Sequence, residues 1–176
     1  TALTAAETGH LVFSTVHANS ASQTIDRIVD AFPESQHRQI RLQLGQVLQA
    51  VIALQLVERA DGSGMVAAVE VLRRNPRIAR LVADGKTAEL HDEIEKSVTF
   101  EKMQTLDQSL VALVLNGTIT REAAVAASPT PAEFTLQLRQ FLGVNSQSPE
   151  GEDMPDSPAD FSKILALREV QRLYEE

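Results

Sequence analysis

The sequence predicts an α/β fold, and three observations carry that reading. A short apolar run, Leu11-Val12-Phe13, opens after Gly9 and closes in hydroxyl, imidazole and amide groups. Two β-rich runs flank the glycine-rich tip Asp61-Gly62-Ser63-Gly64. Most of the remaining length places its apolar residues at helical spacing. The first run has the make-up of a strand buried on both faces. Ser14, Thr15, His17 and Asn19 gather at its carboxyl end, which is where open α/β sheets bind ligands. The stretch from Glu7 to Ser20 therefore reads as one wall of a site.

His10 and His17 are seven residues apart. An odd spacing in one continuous strand sends side chains to opposite faces. His17 can share a site with Thr15 only if the strand ends near Thr15 and the chain turns, which Ala18-Asn19-Ser20 permits. On composition alone the pair are either site residues or histidines at the edge of a core. The ligand supply argues against a zinc pair: structural sites take about four ligands, and only His37 and His91 remain, with no cysteine.

Composition bounds the function. The 176 residues suffice for one domain, or for one domain with an appendage. A 43% hydrophobic content with 4% aromatic is globular and aliphatic. The net charge of −8 and a pI near 5.0 argue against a nucleic-acid partner, which wants a basic stripe. The absence of cysteine removes disulfides and thiolate metal sites, and fits a reducing compartment. No run approaches the ~18 consecutive apolar residues of a membrane span, and no signal peptide is visible. Thr1 falls inside an apparent helix-to-strand unit, which predicts a piece of a longer protein.

In chain order, Thr1 to Thr8 read as a helix tail stopped by Gly9. Asn19 or Ser20 caps a short helix with Ile25, Ile28, Val29 and Phe32 as its apolar stripe. Pro33 ends it and opens the next helix. That one is expected to be long, with Ile40, Leu44, Val47, Leu48 and Val51 on one face and Leu42, Ile52 and Leu54 widening it. The runs Gln55 to Arg59 and Met65 to Val71 then form a hairpin. Asn75-Pro76 starts a helix on Ile78, Leu81 and Val82. Gly85-Lys86-Thr87 imitates a phosphate loop, but the pattern needs a glycine five residues earlier, where Arg80 stands. It is read as one helix end and the next helix start. Thr105 with Gln108 makes a capping box before Leu106, Leu110, Leu113 and Val114, and Asn116-Gly117 closes that helix. Thr120 caps a helix to Ala127, and Thr130-Pro131 starts another through Phe141. Residues 143–160 read as a flexible linker of Ser, Pro, Gly, Asp and Glu. A last helix, 161–176, carries Phe161, Ile164, Leu165, Leu167 and Leu173, as either a frayed tail or a docking helix.

The string Ala2-Leu3-Thr4-Ala5-Ala6-Glu7-Thr8-Gly9-His10-Leu11-Val12-Phe13, followed by Thr15 and His17, resembles the histidine box of the type IV pilus retraction ATPases, the PilT-like branch of the secretion ATPase superfamily. The resemblance continues from Gln23 to Asp30 and through Phe32-Pro33, returns from Met103 to Leu110, and fades after about Phe141. It implies a fold, the C-terminal part of a RecA-like ATPase core (1–72) and a helical subdomain (73–142), to which composition adds the linker (143–160) and the C-terminal helix (161–176). The secretion and extension relatives carry a tetracysteine zinc module; its absence points to the retraction branch. Residues 77–84 align with the family motif AIRNLIRE. Ile78, Leu81 and Val82 match its apolar positions and Asp84 keeps the acid, while Ala79, Arg80 and Ala83 replace its first arginine, asparagine and second arginine.

What the resemblance implies is a homo-hexameric motor that hydrolyses ATP with Mg and drives pilus retraction in twitching motility. It would lie at the cytoplasmic face of the inner membrane, against a pilus platform protein. His10, His17, Thr15 and Glu7 are then the site residues: Thr15 and His17 sense the nucleotide state or couple subunits, His10 fixes the strand end, and Glu7 is a supporting charge. Arg27, Arg38 and Arg41 are either donors across the subunit boundary or solvated surface. In the family the phosphate loop and acidic boxes precede the histidine box, so ATP and Mg are expected to be held mainly by residues before Thr1, and this chain alone to be inactive. The alternative is a non-catalytic regulatory module or accessory paralogue on the same fold.

Overall fold

The computed structural model describes residues 2–146. Helices α1 (Ala2–Glu7), α2 (Ala21–Asp30) and α3 (His37–Val47) come first, a 3₁₀ turn at Glu34–Gln36 leading into α3. Strands β1 (Ala50–Glu58) and β2 (Met65–Arg73) follow, and pair as a two-stranded sheet. Six helices complete the described chain: α4 (Pro76–Ala83), α5 (Leu90–Lys96), α6 (Val98–Glu101), α7 (Leu106–Leu115), α8 (Arg121–Ala127) and α9 (Pro131–Ser146). The α/β class expected from the sequence is the class observed. The chain forms two compact units, and the hairpin contributes residues to both.

Among the described residues the first unit comprises 2–54 and Val69–Thr105. Its core joins Ala21 and Ile25 of α2, Leu44 of α3, Val51, Leu72, the α4 stripe Ile78, Leu81 and Val82, then Leu90, Ile94 and Met103. The i, i+3, i+4 spacing on α4 puts its three apolar side chains on one buried face. Asn75 starts that helix, its side chain accepting from the Ile78 amide at 2.6 Å, and Pro76 fills the first turn. Helices α3 and α4 approach closely at Gly45, where a Cβ would come within 2.6 Å of the Ala79 carbonyl oxygen. Gln104 adds a bridge to Val71 beside β2, with amides donating both ways at 2.8 and 3.1 Å.

Among the described residues the second unit takes in Gln55–Ala68 and 106–146. Val57 and Ala68 pack with Leu106, Leu110, Val111 and Leu113 of α7, Ile119, Ala124 of α8, and Phe134 and Leu138 of α9. Helix α7 begins directly after Thr105 and closes at Gly117, where the Thr118 amide reaches back to the Leu113 carbonyl at 2.9 Å. The Thr120 hydroxyl caps α8 by accepting from the Ala123 amide at 3.1 Å.

Three expectations are corrected. Leu11-Val12-Phe13 is not a buried strand: it joins no sheet, and Leu11 and Phe13 are 78% and 87% exposed. A strand is held by a neighbour's amides and carbonyls, and no strand among the described residues lies alongside this run. Helix α3 is shorter than its apolar stripe suggested, ending at Val47, while Val51, Ile52 and Leu54 belong to β1. There Val51, Ala53 and Val57 are buried and Ile52, Leu54 and Leu56 face out, the period-2 pattern of a strand. Helix α9 runs to Ser146, so Gly143 to Ser146 are helical rather than the start of a linker. The rest of that linker and the 161–176 helix lie outside the described residues.

Candidate functional site

The segment Leu11–Val16 hangs between two fixed posts. The first is the end of α1. Gly9 takes φ +90°, a conformation glycine adopts without a Cβ penalty, and the His10 amide reaches back to the Ala5 carbonyl at 3.0 Å. The Thr8 hydroxyl donates to Ala5 O at 2.9 Å, and His10 Nδ1 lies 3.0 Å from that hydroxyl and 3.2 Å from Ala5 O. A carbonyl only accepts, so this geometry puts the proton of a neutral His10 on Nδ1 and leaves Nε2 as the outward acceptor. Glu7, the last residue of α1, is exposed beside it.

The second post is the start of α2. Ser20 is the N-cap, its hydroxyl accepting from the Gln23 amide at 3.2 Å. Gln23 returns the favour one residue further out, its Oε1 accepting from the Asn19 amide at 2.7 Å, a variant of the capping box. Just before this post the chain turns, the Ala18 amide donating to Val16 O at 3.0 Å. Between the posts Thr15 and His17 are exposed, and neither side chain has a hydrogen-bond partner among the described residues.

A third anchor was missed by sequence reasoning. Glu70 of β2 is only 5% exposed, and its Oε1 accepts from the Ala21 amide, first residue of α2, at 2.7 Å. The α2 N-terminus offers unpaired amides and partial positive charge, which offsets the cost of burying a carboxylate there. The signal was present: Glu70 alternates with Ala68 and Leu72 on the inward positions of β2, where a lone charge needs a reason.

The three arginines differ in setting. Arg27 and Arg38 are exposed on α2 and α3. Arg41 is half-buried and lies along Gly85, whose added Cβ would meet its guanidinium Nε at 3.3 Å.

The stretch Gly85-Lys86-Thr87 is not arranged as a phosphate loop. In a phosphate loop the backbone amides turn toward the phosphates. Here the Gly85 amide donates to Val82 O at 3.1 Å and the Lys86 amide to Leu81 O at 2.8 Å, both spent on closing α4. Lys86 pairs with Glu89 at 3.3 Å, and the Thr87 hydroxyl donates to Asp26 at 3.3 Å. The reading of Gly85-Lys86-Thr87 as a helix end and helix start is the arrangement observed. Among the described residues no cluster of His, Cys, Asp and Glu could hold a metal ion, and no helix is long and apolar enough to cross a membrane.

Residues 1–126 match the family described as Type II/IV secretion system protein. A twitching motility protein of Neisseria gonorrhoeae is 45% identical over 123 residues, covering 70% of this chain and 33% of that protein. The type IV pilus retraction ATPase PilT of Pseudomonas aeruginosa is 44% identical, covering 76% of this chain and 38% of its own. The type IV pilus ATPase PilU of the same organism is 40% identical over 81% of this chain and 37% of its own. A crystal structure of the pilus retraction motor PilT with bound ADP superposes with a TM-score of 0.66 at 42% identity, over 75% of this chain and 36% of that one. This chain thus spans between a third and two fifths of the length of the relatives it matches. By the matched residues and by the shared fold, the chain belongs to the Type II/IV secretion system protein family and is PilT-like within it.

Proposed function

We propose that the chain supplies the histidine box and output helices of an ATP-hydrolysing motor that drives type IV pilus retraction. In this reading the working assembly is a homo-hexamer at the cytoplasmic face of the inner membrane, acting on a pilus platform protein. ATP and Mg are held mainly by residues outside this chain. The observation that carries it is the exposed segment between the two posts, with Thr15 and His17 free to meet a ligand or neighbour, on a frame shared with an ADP-bound retraction motor. Phosphoryl transfer depends on positioning and charge stabilisation rather than covalent protein chemistry, so groups of this kind can sense and couple without being nucleophiles. Thr15 and His17 are assigned to sensing and coupling between subunits, His10 to fixing the segment's start, and Glu7 to a supporting charge. Arg27 and Arg38 are the exposed candidates to cross a subunit boundary, and Arg41 is the less available third. The expected organisation stays 1–72 as part of the RecA-like domain and 73–142 as the helical subdomain.

The test is a chimera in which this chain replaces the matching region of the Pseudomonas PilT. It should hydrolyse ATP, and His17→Ala within it should cut turnover by about 10²-fold while leaving the protein folded. This chain alone should show turnover indistinguishable from buffer. Undiminished turnover in the His17 variant would remove the assignment, and a strictly monomeric chimera with nucleotide, by mass measurement, would remove the ring.

A second reading, an accessory or divergent paralogue, draws on the departures at Ala79, Arg80 and Ala83. Ala79 backs onto Gly45 and Arg80 pairs on the surface with Asp84 at 3.7 Å, so the segment is engaged in its own packing. A chimera that turns over ATP yet fails to restore retraction in cells lacking the relative would favour this reading.

A further inference from the structure

We infer that Glu70 is a positioning residue for the histidine box, acting through the α2 N-terminus on His17. That role rests on the one proposed above for His17, and Glu70 makes a contact with Ala21 that packing alone does not explain. An aliphatic side chain at position 70 would fill an inward site of β2 without desolvating a charge. The chain instead places a carboxylate there, nearly fully buried, and spends it on one amide 49 residues away.

That amide matters because of where it sits. Ala21 is four residues beyond His17, and its N–H belongs to the first turn of α2, which has no carbonyl of its own helix to meet. The Ser20 hydroxyl and Gln23 side chain fix the cap from within the helix, as do the Thr24 hydroxyl to Ser20 O at 2.8 Å and the Thr24 amide to Ser20 O at 2.9 Å. All of these tie α2 to itself. Glu70 ties the start of α2 to β2 directly, by a charge-assisted hydrogen bond of 2.7 Å. Thr15 and His17 make no such bond among the described residues, so the second post sets their position, and Glu70 helps to set the post. The carboxylate does not touch the groups assigned to sensing; it determines where they stand.

The test uses the PilT chimera with Glu70→Leu, Glu70→Gln, His17→Ala and the double change His17→Ala/Glu70→Leu. Backbone hydrogen exchange is read by mass spectrometry on peptides covering 11–23, alongside ATP kinetics. Glu70→Leu should speed exchange across 15–23 and lower kcat by about ten- to a hundredfold, the scale of an ångström misplacement, with KM little changed. Glu70→Gln keeps an oxygen acceptor for the Ala21 amide in the same volume, so it should fold and recover part of both losses. Because Glu70 acts through His17, adding Glu70→Leu to His17→Ala should cost little more than His17→Ala alone. Unchanged exchange across 15–23 in both Glu70 variants, or full additivity in the double variant, would overturn the inference. Undiminished turnover in His17→Ala would instead overturn the motor-site reading, and the exchange data would then decide the anchor by themselves.

Discussion

Leu11-Val12-Phe13 and Val51-Ile52-Ala53 are runs of the same kind, yet one is bare and the other is half of a hairpin. In β1 the alternate residues Val51, Ala53 and Val57 are buried, and the strand's amides and carbonyls meet those of β2. In the earlier run Leu11 and Phe13 are both exposed and nothing described pairs with the backbone. Both are apolar enough for a sheet. The difference lies in whether a partner strand is close in sequence: β1 finds β2 across a six-residue tip, and the earlier run has no such neighbour among the described residues. Apolar content thus marks a strand's capacity, and its partner decides the outcome.

The comparison is sharpened most strongly by truncating one side chain from each setting in the 176-residue chain. Leu81→Ala, in the α4 stripe at 1% exposure, should cost about 2–5 kcal/mol in chemical denaturation, from lost transfer energy and the cavity left behind. Phe13→Ala should cost under about 0.5 kcal/mol, as surface substitutions do. Comparable losses at the two sites would show that the run is packed after all. A Phe13 cost that emerges only in the PilT chimera would show residues outside this chain covering it there.

The next effect tests close packing against the open segment. Gly45→Ala would drive a Cβ to 2.6 Å from the Ala79 carbonyl oxygen, a backbone atom that cannot swing aside, so α3 and α4 must separate. A loss of about 1–3 kcal/mol is expected, the usual cost of overpacking, read as a fall in the denaturant midpoint. No loss would mean that the two helices slide apart freely. A smaller effect is expected at the second post: Ser20→Ala removes the acceptor for the Gln23 amide and should cost about 1 kcal/mol. Ser14→Ala, on the exposed segment, should cost nothing measurable by the same assay.

Much of this architecture was legible in the sequence because the signals were local. Asn75-Pro76, Ser20, Thr120 and the glycine after Asn116 each mark a helix boundary through their own backbone or hydroxyl chemistry, and each boundary is where that chemistry puts it. The α3-to-β1 junction misled because Val51, Ile52 and Leu54 extend the stripe of Ile40, Leu44 and Val47 at plausible helical spacing. The period alone could not say that Leu48 leaves the helix, at φ −58° and ψ 127°. For the candidate site, the residues of the histidine box were readable as a string, while the bond that anchors α2 was not. Glu70 meets Ala21 only because folding brings β2 beside the helix, and a contact across 49 residues leaves no local trace beyond a charge on an inward strand position.

The smallest expected effect concerns the hairpin tip, the counterpart of the open segment: both are exposed, but the tip is tied by its own short-range bonds. The Ser63 hydroxyl donates to Asp61 Oδ1 at 2.6 Å and the Ser63 amide to the same oxygen at 2.9 Å, while the Arg59 guanidinium stands 3.5 Å away. These donors favour the ionised form, the hydroxyl most, and hold the Asp61 carboxyl below the ordinary carboxylate range. The sign follows: a carboxyl depressed in the folded state contributes stability that is fully present above its unfolded pKa, about 3.9, and is lost as pH falls through the lower folded value. Asp61 is exposed, so the contribution to global stability is small, and the titration itself is the better reading. By NMR of the carboxyl carbon, the Asp61 midpoint should lie below that of an unstructured aspartate. Ser63→Ala should move it upward, though not fully, because the amide at position 63 still donates. A midpoint unmoved by Ser63→Ala would show that the hydroxyl contributes nothing. The tip would then owe its order to the backbone alone, and it would stand closer to the open histidine-box segment than its bonds suggest.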